Sequence, residues 1–170
     1  LLNTIAQKTR ITLSDKTMNI KLIAIGKTDN KNLIALIADY TKRLGFYIKF
    51  DFEVIPDLKK VKNLSETQQK EKEGELILAK TQTSDVLILL DENGKQFDSV
   101  AFSGYLQKHM NSGIKTLIFV IGGPYGFSDA VYNRAMNLII IAKNYKPSAI
   151  KRQYLLMCTK NFFTFFKLAL

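Results

Sequence analysis

The chain has 170 residues, enough for one domain with a substantial core and too few to make two ordinary domains comfortable. Hydrophobic residues make up 46% of the sequence and charged residues 24%, a balance that is typical of folded proteins and excludes a largely disordered chain. The net charge of +10 favours a polyanionic partner such as RNA, although an AT-rich genome, which favours lysine codons, explains the same excess.

The single cysteine, Cys158, and the single histidine, His109, exclude several kinds of site. One cysteine cannot form an intrachain disulfide, so we expect a reducing, cytoplasmic compartment. One histidine excludes a His-rich metal site, and we expect no metal. Residues 1–17 lack the apolar stretch of a signal peptide, and the Leu- and Phe-rich residues 154–170 are interrupted by lysines and short for a bilayer span. We therefore expect neither a secretion signal nor a membrane anchor.

Strands and helices alternate along the predicted chain. The apolar, β-branched run over residues 19–26 predicts a buried first strand, and Met18 before it suggests that residues 1–17 are an N-terminal extension outside the domain. The elements predicted after it are a helix over 30–44 capped by Asp29 or Asn30, a strand over 47–55, a helix opening at Ser65 with Gln68 or Gln69, a strand over 86–90, a helix from Asp98 or Ser99 to about Met110, a strand over 116–121, a short helix over 128–136 and a strand over 138–142. This order predicts an α/β fold with a mainly parallel sheet and helices on both faces.

Two segments follow strands at the sheet edge where parallel α/β proteins bind ligands. Leu90 is followed by a turn over residues 91–94, and the fourth strand runs into residues 122–127. The latter segment contains three glycines, Gly122, Gly123 and Gly126. Glycines let backbone groups approach a ligand without Cβ atoms in the way. Their spacing is neither a dinucleotide fingerprint nor a P-loop, so a ligand loop and a plain strand-to-helix turn both stay open.

Four segments of the chain together carry a family resemblance. Residues 119–127, Phe-Val-Ile-Gly-Gly-Pro-Tyr-Gly-Phe, are similar to the glycine-rich knot loop of the ribosomal RNA large subunit methyltransferase H family. The similarity also includes residues 18–26, 72–78 and 89–95, and it covers about residues 18–134. Together these motifs are specific to that family.

The resemblance implies a SPOUT-type α/β-knot fold, in which a C-terminal trefoil knot holds S-adenosylmethionine. It further implies a homodimer that methylates N3 of a pseudouridine in 23S rRNA within the ribosome. The cofactor-binding residues that it implies are Leu90, Gly122, Gly123, Gly126, Ile141, Ala142, Lys143, Asn144, Tyr145 and Lys146. We expect cofactor affinity to depend on Gly122, because a side chain there would enter the space that the cofactor needs.

The C-terminal part departs from the family pattern. Lys143 alone agrees within one cofactor segment, and Ser148 and Ala149 stand where the family has a His-Gln pair. Residues 138–170 contain six basic residues and no acidic one. A reading-frame change near Asn137 is one explanation of this pattern, and divergence is the other. The chain would then comprise a methyltransferase domain over 18–137 and an atypical knot segment over 138–170.

The sequence names no catalytic base, although the acceptor nitrogen must lose a proton. Arg152 matches a family arginine by position and would hold a phosphate or the cofactor carboxylate, or else it is a solvated side chain. Tyr125 would border the target base or pack within the loop. One rival function is an inactive knot domain that dimerises or binds RNA, which the missing family ending favours. Another is a generic nucleotide-binding enzyme, which the lack of nucleotide fingerprints disfavours.

Overall fold

A computed structural model describes residues 18–58 and 63–140 of the chain. The five strands of these residues are β1 (Asn19–Ile25), β2 (Phe50–Ile55), β3 (Val86–Gln96), β4 (Thr116–Ile121) and β5 (Asn137–Ile140). Their four α-helices are α1 (Lys31–Leu44), α2 (Glu66–Leu78), α3 (Ser99–Asn111) and α4 (Asp129–Arg134). The predicted order of elements is confirmed. None of these helices is long and apolar enough to cross a bilayer.

The strands form one sheet in the order β2-β1-β4-β3-β5, and every neighbouring pair is parallel. Phe119 of the central strand β4 pairs with Leu22 of β1 on one side and with Ile88 of β3 on the other. Because all strands run the same way, their carboxyl ends lie along one edge. The predicted parallel sheet is therefore confirmed, and it brings the segments after β3 and β4 to that edge.

Helices cover both faces of the sheet, as the sequence predicts. One layer of the core contains Ile37 of α1 and Phe102 of α3, and the other contains Ile77 of α2 and Val131 of α4. Alternate residues of β1, β3 and β4 enter the two layers. These strands are buried on both faces, which is why their sequences are continuous apolar runs rather than alternating ones.

Side-chain hydrogen bonds at the first turns of three helices show which of the alternative residues predicted from the sequence form the N-terminal caps. Asn30 caps α1, and Ser65 caps α2 in a capping box with Gln68. The Asp98 side chain caps α3 by accepting a hydrogen bond at 2.7 Å from the backbone N–H of Ala101. Each cap satisfies backbone donors that the first helical turn leaves without a partner.

The strand over 47–55 was predicted three residues too long, since β2 begins at Phe50. The backbone N–H of Tyr47 and that of Ile48 both donate to the carbonyl oxygen of Leu44 at the end of α1. These amides continue the helix into a turn and are unavailable to the sheet. A similar shift ends α4 at Arg134, two residues earlier than predicted, and begins β5 at Asn137.

The predicted turn over residues 91–94 does not end β3, which continues to Gln96. Ile139 of β5 pairs with both Leu90 and Lys95, so the four residues between them lie outside the regular pairing. We call residues 91–94 the β3 bulge. A bulge lets a strand bend without losing its partner.

Several predictions concern residues that the structure does not describe. The cofactor residues predicted at 141–146, the candidate Arg152 and the extension over residues 1–17 all lie outside the described ranges. Of the predicted knot segment, only residues 138–140 are described, and they belong to β5. The knot and the predicted domain bounds stay predictions.

Candidate functional site

Leu90, the last residue of β3 before its bulge, lies beside the carboxyl end of β4. Leu90 pairs with Ile121 of β4 on one side and with Ile139 of β5 on the other. Gly122 follows Ile121 directly, so the structure brings Leu90 and Gly122 together on adjacent strands. Leu90 is only 2% exposed, and its side chain packs in the core.

Residues 122–127, which we call the glycine loop, form a tight turn after β4. The backbone N–H of Gly126 donates to the carbonyl oxygen of Gly123 at 3.2 Å, which closes a four-residue turn with Pro124 in its second position. The φ angle of Gly126 is +82°, in the left-handed region that costs other residues about 1–2 kcal/mol. Pro124 fixes the backbone at the second position of the turn, and Gly126 allows the positive φ at its last position. Neighbouring residues therefore encode the shape of the loop.

Gly122 faces the interior of the loop. A Cβ atom at this position would lie 2.9 Å from Cζ of Phe127, well inside the usual carbon–carbon contact distance of about 3.5–4.0 Å. Phe127 is 4% exposed, and its ring packs edge-on against that of Tyr132, with centroids 5.8 Å apart. Packing within the protein therefore disfavours a side chain at 122, before any ligand is considered.

Helix α2 packs against the glycine loop. A Cβ atom on Gly123 would collide with the Glu73 carboxylate, and one on Gly74 would collide with the Ser128 hydroxyl. Glu73 is buried, and its Oε1 accepts a hydrogen bond at 2.7 Å from Nε2 of Gln69. Residues 72–78, one of the four segments that carry the family resemblance, thus pack against the glycine loop and Ser128. The sequence pattern did not reveal this contact.

Asp91 and Tyr132 connect the β3 bulge to the helix that follows the loop. Asp91 is 7% exposed; its Oδ2 accepts a hydrogen bond from the Tyr132 hydroxyl at 2.7 Å, and its Oδ1 accepts one from the Asn93 backbone N–H at 2.8 Å. Burial, and then the hydrogen bond and charge of Asp91, raise the pKa of Tyr132 above its ordinary value, so the hydroxyl stays a donor at neutral pH. No motif of the sequence pointed to Tyr132, which is marked only by its place on the short helix after the loop.

His109, the single histidine, lies away from this edge. It is buried on α3, its ring packs edge-on against Tyr105 with centroids 4.5 Å apart, and burial, with the neighbouring charge of Lys108, lowers its pKa. It therefore packs in the core. Within residues 18–58 and 63–140 no three or more metal-ligating side chains gather at one place.

A cavity of about 690 Å³ opens between α1 and β2, beside the carboxyl end of β1. Its lining is mainly apolar, with Ile34, Phe52 and Val54 among its residues, and it includes Lys27 and Lys42. No carboxylate, histidine or cysteine of the described residues lines it. The ionisable side chains among its described lining residues are therefore the two lysines.

A family model matches the sequence that forms this sheet and the glycine loop. The model described as "Predicted SPOUT methyltransferase" matches residues 18–155, which include the whole described sheet and the glycine loop. The fold and site therefore define a SPOUT methyltransferase, and the parallel sheet with helices on both faces is its α/β fold. The match continues past Asn137, where the sequence predicts a departure from the family, and that departure stays a prediction.

Curated relatives narrow the class to one family. A Flavobacterium psychrophilum protein named ribosomal RNA large subunit methyltransferase H is 75% identical over 126 residues, which are 74% of this chain and 80% of the relative. Proteins of that name from Flavobacterium johnsoniae and Parabacteroides distasonis are 71% identical over 125 residues and 58% identical over 126, with the same coverage. The chain belongs to the ribosomal RNA large subunit methyltransferase H family, which confirms the resemblance seen in the sequence.

Proposed function

We propose that this protein transfers a methyl group from S-adenosylmethionine to ribosomal RNA of the large subunit, at N3 of a pseudouridine in 23S rRNA. The observation that carries the proposal is the juxtaposition of Leu90 and Gly122 at the carboxyl edge of the sheet. The names of the relatives, which are up to 75% identical, support the rRNA substrate.

The residues at this edge fit an adenine-bearing cofactor. Leu90 and Gly122 lie side by side at this edge, and main-chain N–H and C=O groups are of the kind that can pair with the donors and acceptors of an adenine ring. Around the Cβ position of Gly126, the nearest described atom outside its chain neighbours is the Tyr132 hydroxyl oxygen at 3.8 Å. Among the described residues, this side of the loop backbone is therefore open. When bound, S-adenosylmethionine supplies a methyl group activated by its sulfonium.

Methyl transfer from a sulfonium is a direct displacement, so the protein's main task is to align the acceptor nitrogen with the methyl carbon. The glycine loop suits that task because its turn, the packing of its own Phe127 against Gly122 and the neighbouring Glu73 restrict its backbone. The acceptor must also lose its proton. Both oxygens of Asp91 already accept hydrogen bonds, so we do not assign this carboxylate as the base.

The proposal includes residues beyond the described ranges. We infer that residues 141–146 complete the cofactor site and that Arg152 holds a phosphate or the cofactor carboxylate. We further infer a cytoplasmic homodimer, knotted through its C-terminal part, that binds rRNA within the ribosome. The net charge of +10 supports a polyanionic partner.

The test is transfer of tritiated methyl groups to ribosomes that lack the modification. This chain is compared with a chimera in which the residues after Asn137 are replaced by those of the Flavobacterium psychrophilum relative, and modified ribosomes serve as the blank. We expect the chimera to methylate and this chain to be slower by on the order of a hundredfold, because a small misplacement of the reacting groups costs that much. Absence of transfer by both proteins would contradict the proposed function, and equal, robust transfer would contradict the effect of the altered C-terminus.

One sequence observation favours a second candidate, an inactive knot domain that binds RNA. Residues 138–170 carry six basic side chains and no acidic one. If this segment only attracts phosphate, rRNA binding should weaken steeply with salt while no methyl group is transferred. Filter binding at several salt concentrations, run beside the tritium assay, separates this candidate from the methyltransferase.

A further inference from the structure

We propose that Tyr132 is a positioning residue that holds the glycine loop against the β3 bulge before any cofactor binds. The inference rests on the proposed function, since it concerns the same sheet edge, but the contacts that carry it belong to the protein alone. They join two segments that are far apart in sequence and adjacent at the candidate site.

The Tyr132 hydroxyl lies between the bulge and the loop. It donates to Oδ2 of Asp91 at 2.7 Å, across 41 positions of sequence. The same oxygen lies 3.8 Å from the position that a Cβ atom on Gly126 would occupy. The hydroxyl group therefore bonds to the β3 bulge and lies next to the glycine loop.

The Tyr132 ring makes a second connection. It packs edge-on against the Phe127 ring at an interplanar angle of 79°, and the Phe127 ring in turn occupies the space beside Gly122. A shift of Tyr132 would thus loosen the loop through the ring and through the hydroxyl together. Removal of the hydroxyl alone would leave the buried Asp91 without one of its donors, and a buried carboxylate is costly when a donor is lost.

The role of Tyr132 is structural support of a binding loop rather than chemistry on the substrate. Its hydroxyl is committed to Asp91, and its raised pKa keeps the proton in place at neutral pH, so it is not a base. Its effect on methyl transfer would therefore pass through the position of the glycine loop. The expected signature is weaker cofactor binding with little change in the rate of the bound complex.

The first test is hydrogen–deuterium exchange of the cofactor-free protein, comparing wild type with Tyr132→Phe. The control is Tyr105→Phe, which removes the hydroxyl of another partly buried tyrosine, on the opposite face of the sheet, that accepts a hydrogen bond at 3.2 Å from Asn137. We expect amides of residues 122–127 to exchange at least tenfold faster in Tyr132→Phe alone, with Thr116–Ile121 unchanged. Equal loop exchange in Tyr132→Phe and wild type would overturn the proposal, as would equal acceleration of the loop and β4, which would indicate general destabilisation.

The second test is calorimetric titration with S-adenosylmethionine. We expect Tyr132→Phe to raise Kd about tenfold, and Tyr132→Phe combined with Asp91→Ala to raise it by less than the product of the two single effects, because both changes remove the same hydrogen bond. Unchanged affinity in Tyr132→Phe, or full additivity of the two changes, would contradict the coupling. If the wild type does not bind this cofactor, the proposed function fails, and the exchange experiment still decides whether Tyr132 holds the loop.

Discussion

Replacement of Gly122 by alanine tests how the glycine loop is built. The new methyl group would lie 2.9 Å from Cζ and 3.0 Å from Cε1 of Phe127, so the ring must move by roughly 0.6 Å or more to reach a normal contact distance. Phe127 is nearly fully buried and is flanked by Tyr132, which leaves it little room. Overpacking of this kind costs about 1–3 kcal/mol, and we expect Gly122→Ala to lose that much stability.

Urea unfolding followed by circular dichroism measures the loss. The matched control is Gly104→Ala on α3, where, among the described residues, no atom outside the chain neighbours and the helix's own backbone lies within 4 Å of the new Cβ; it should gain roughly 0.5–1 kcal/mol because glycine weakens a helix interior. Phe127→Leu replaces the opposing ring by a smaller side chain. In that background, Gly122→Ala should cost less stability than it does beside phenylalanine.

Titration with S-adenosylmethionine separates this explanation from the one suggested by the sequence, in which a side chain at 122 enters the ligand space. Undiminished stability of Gly122→Ala, together with a large loss of affinity, would refute the packing argument and favour direct contact with the ligand. A loss of stability that Phe127→Leu relieves would support packing.

Three further predictions concern other contacts of the fold. Gly126→Ala should lower the free energy of unfolding by about 1–2 kcal/mol, because its φ of +82° disfavours a side chain; thermal unfolding of a Gly113→Ala control, also at positive φ, should show a similar loss away from the site. Asp98→Ala should destabilise the protein by about 1 kcal/mol through loss of the α3 cap, and a urea midpoint equal to that of wild type would contradict the cap's contribution. Hydrogen bonds from Lys21 and then Lys80 lower the pKa of Glu53 below its ordinary 4.5. The stability that these two ion pairs contribute is therefore present above pH 4.5 and is lost as the pH falls through the lowered pKa. Stability measured from about pH 6 to pH 3 should therefore fall less steeply in Glu53→Gln than in wild type, and parallel curves would exclude a role for the ion pairs.

The sequence by itself determined the order of elements, the parallel sheet and the position of the glycine loop. These features depend on local patterns: apolar runs for strands buried on both faces, caps such as Asn30 and Ser65, and glycines directly after β4. The motifs in residues 18–26, 72–78, 89–95 and 119–127 together also indicated the family, by their resemblance to its sequences. Leu90 and Gly122 were placed at the same edge by the rule that parallel strands end together.

The tertiary structure alone decided what holds that loop. The hydrogen bond from Tyr132 to Asp91 joins residues 41 positions apart, and the contact of Glu73 with Gly123 joins helix α2 to the loop; no periodicity of the sequence encodes either. The end of β3 was mispredicted for the same reason. Its extension to Gln96 depends on Ile139, a distant residue of β5 that supplies one partner to two positions of the bulged strand.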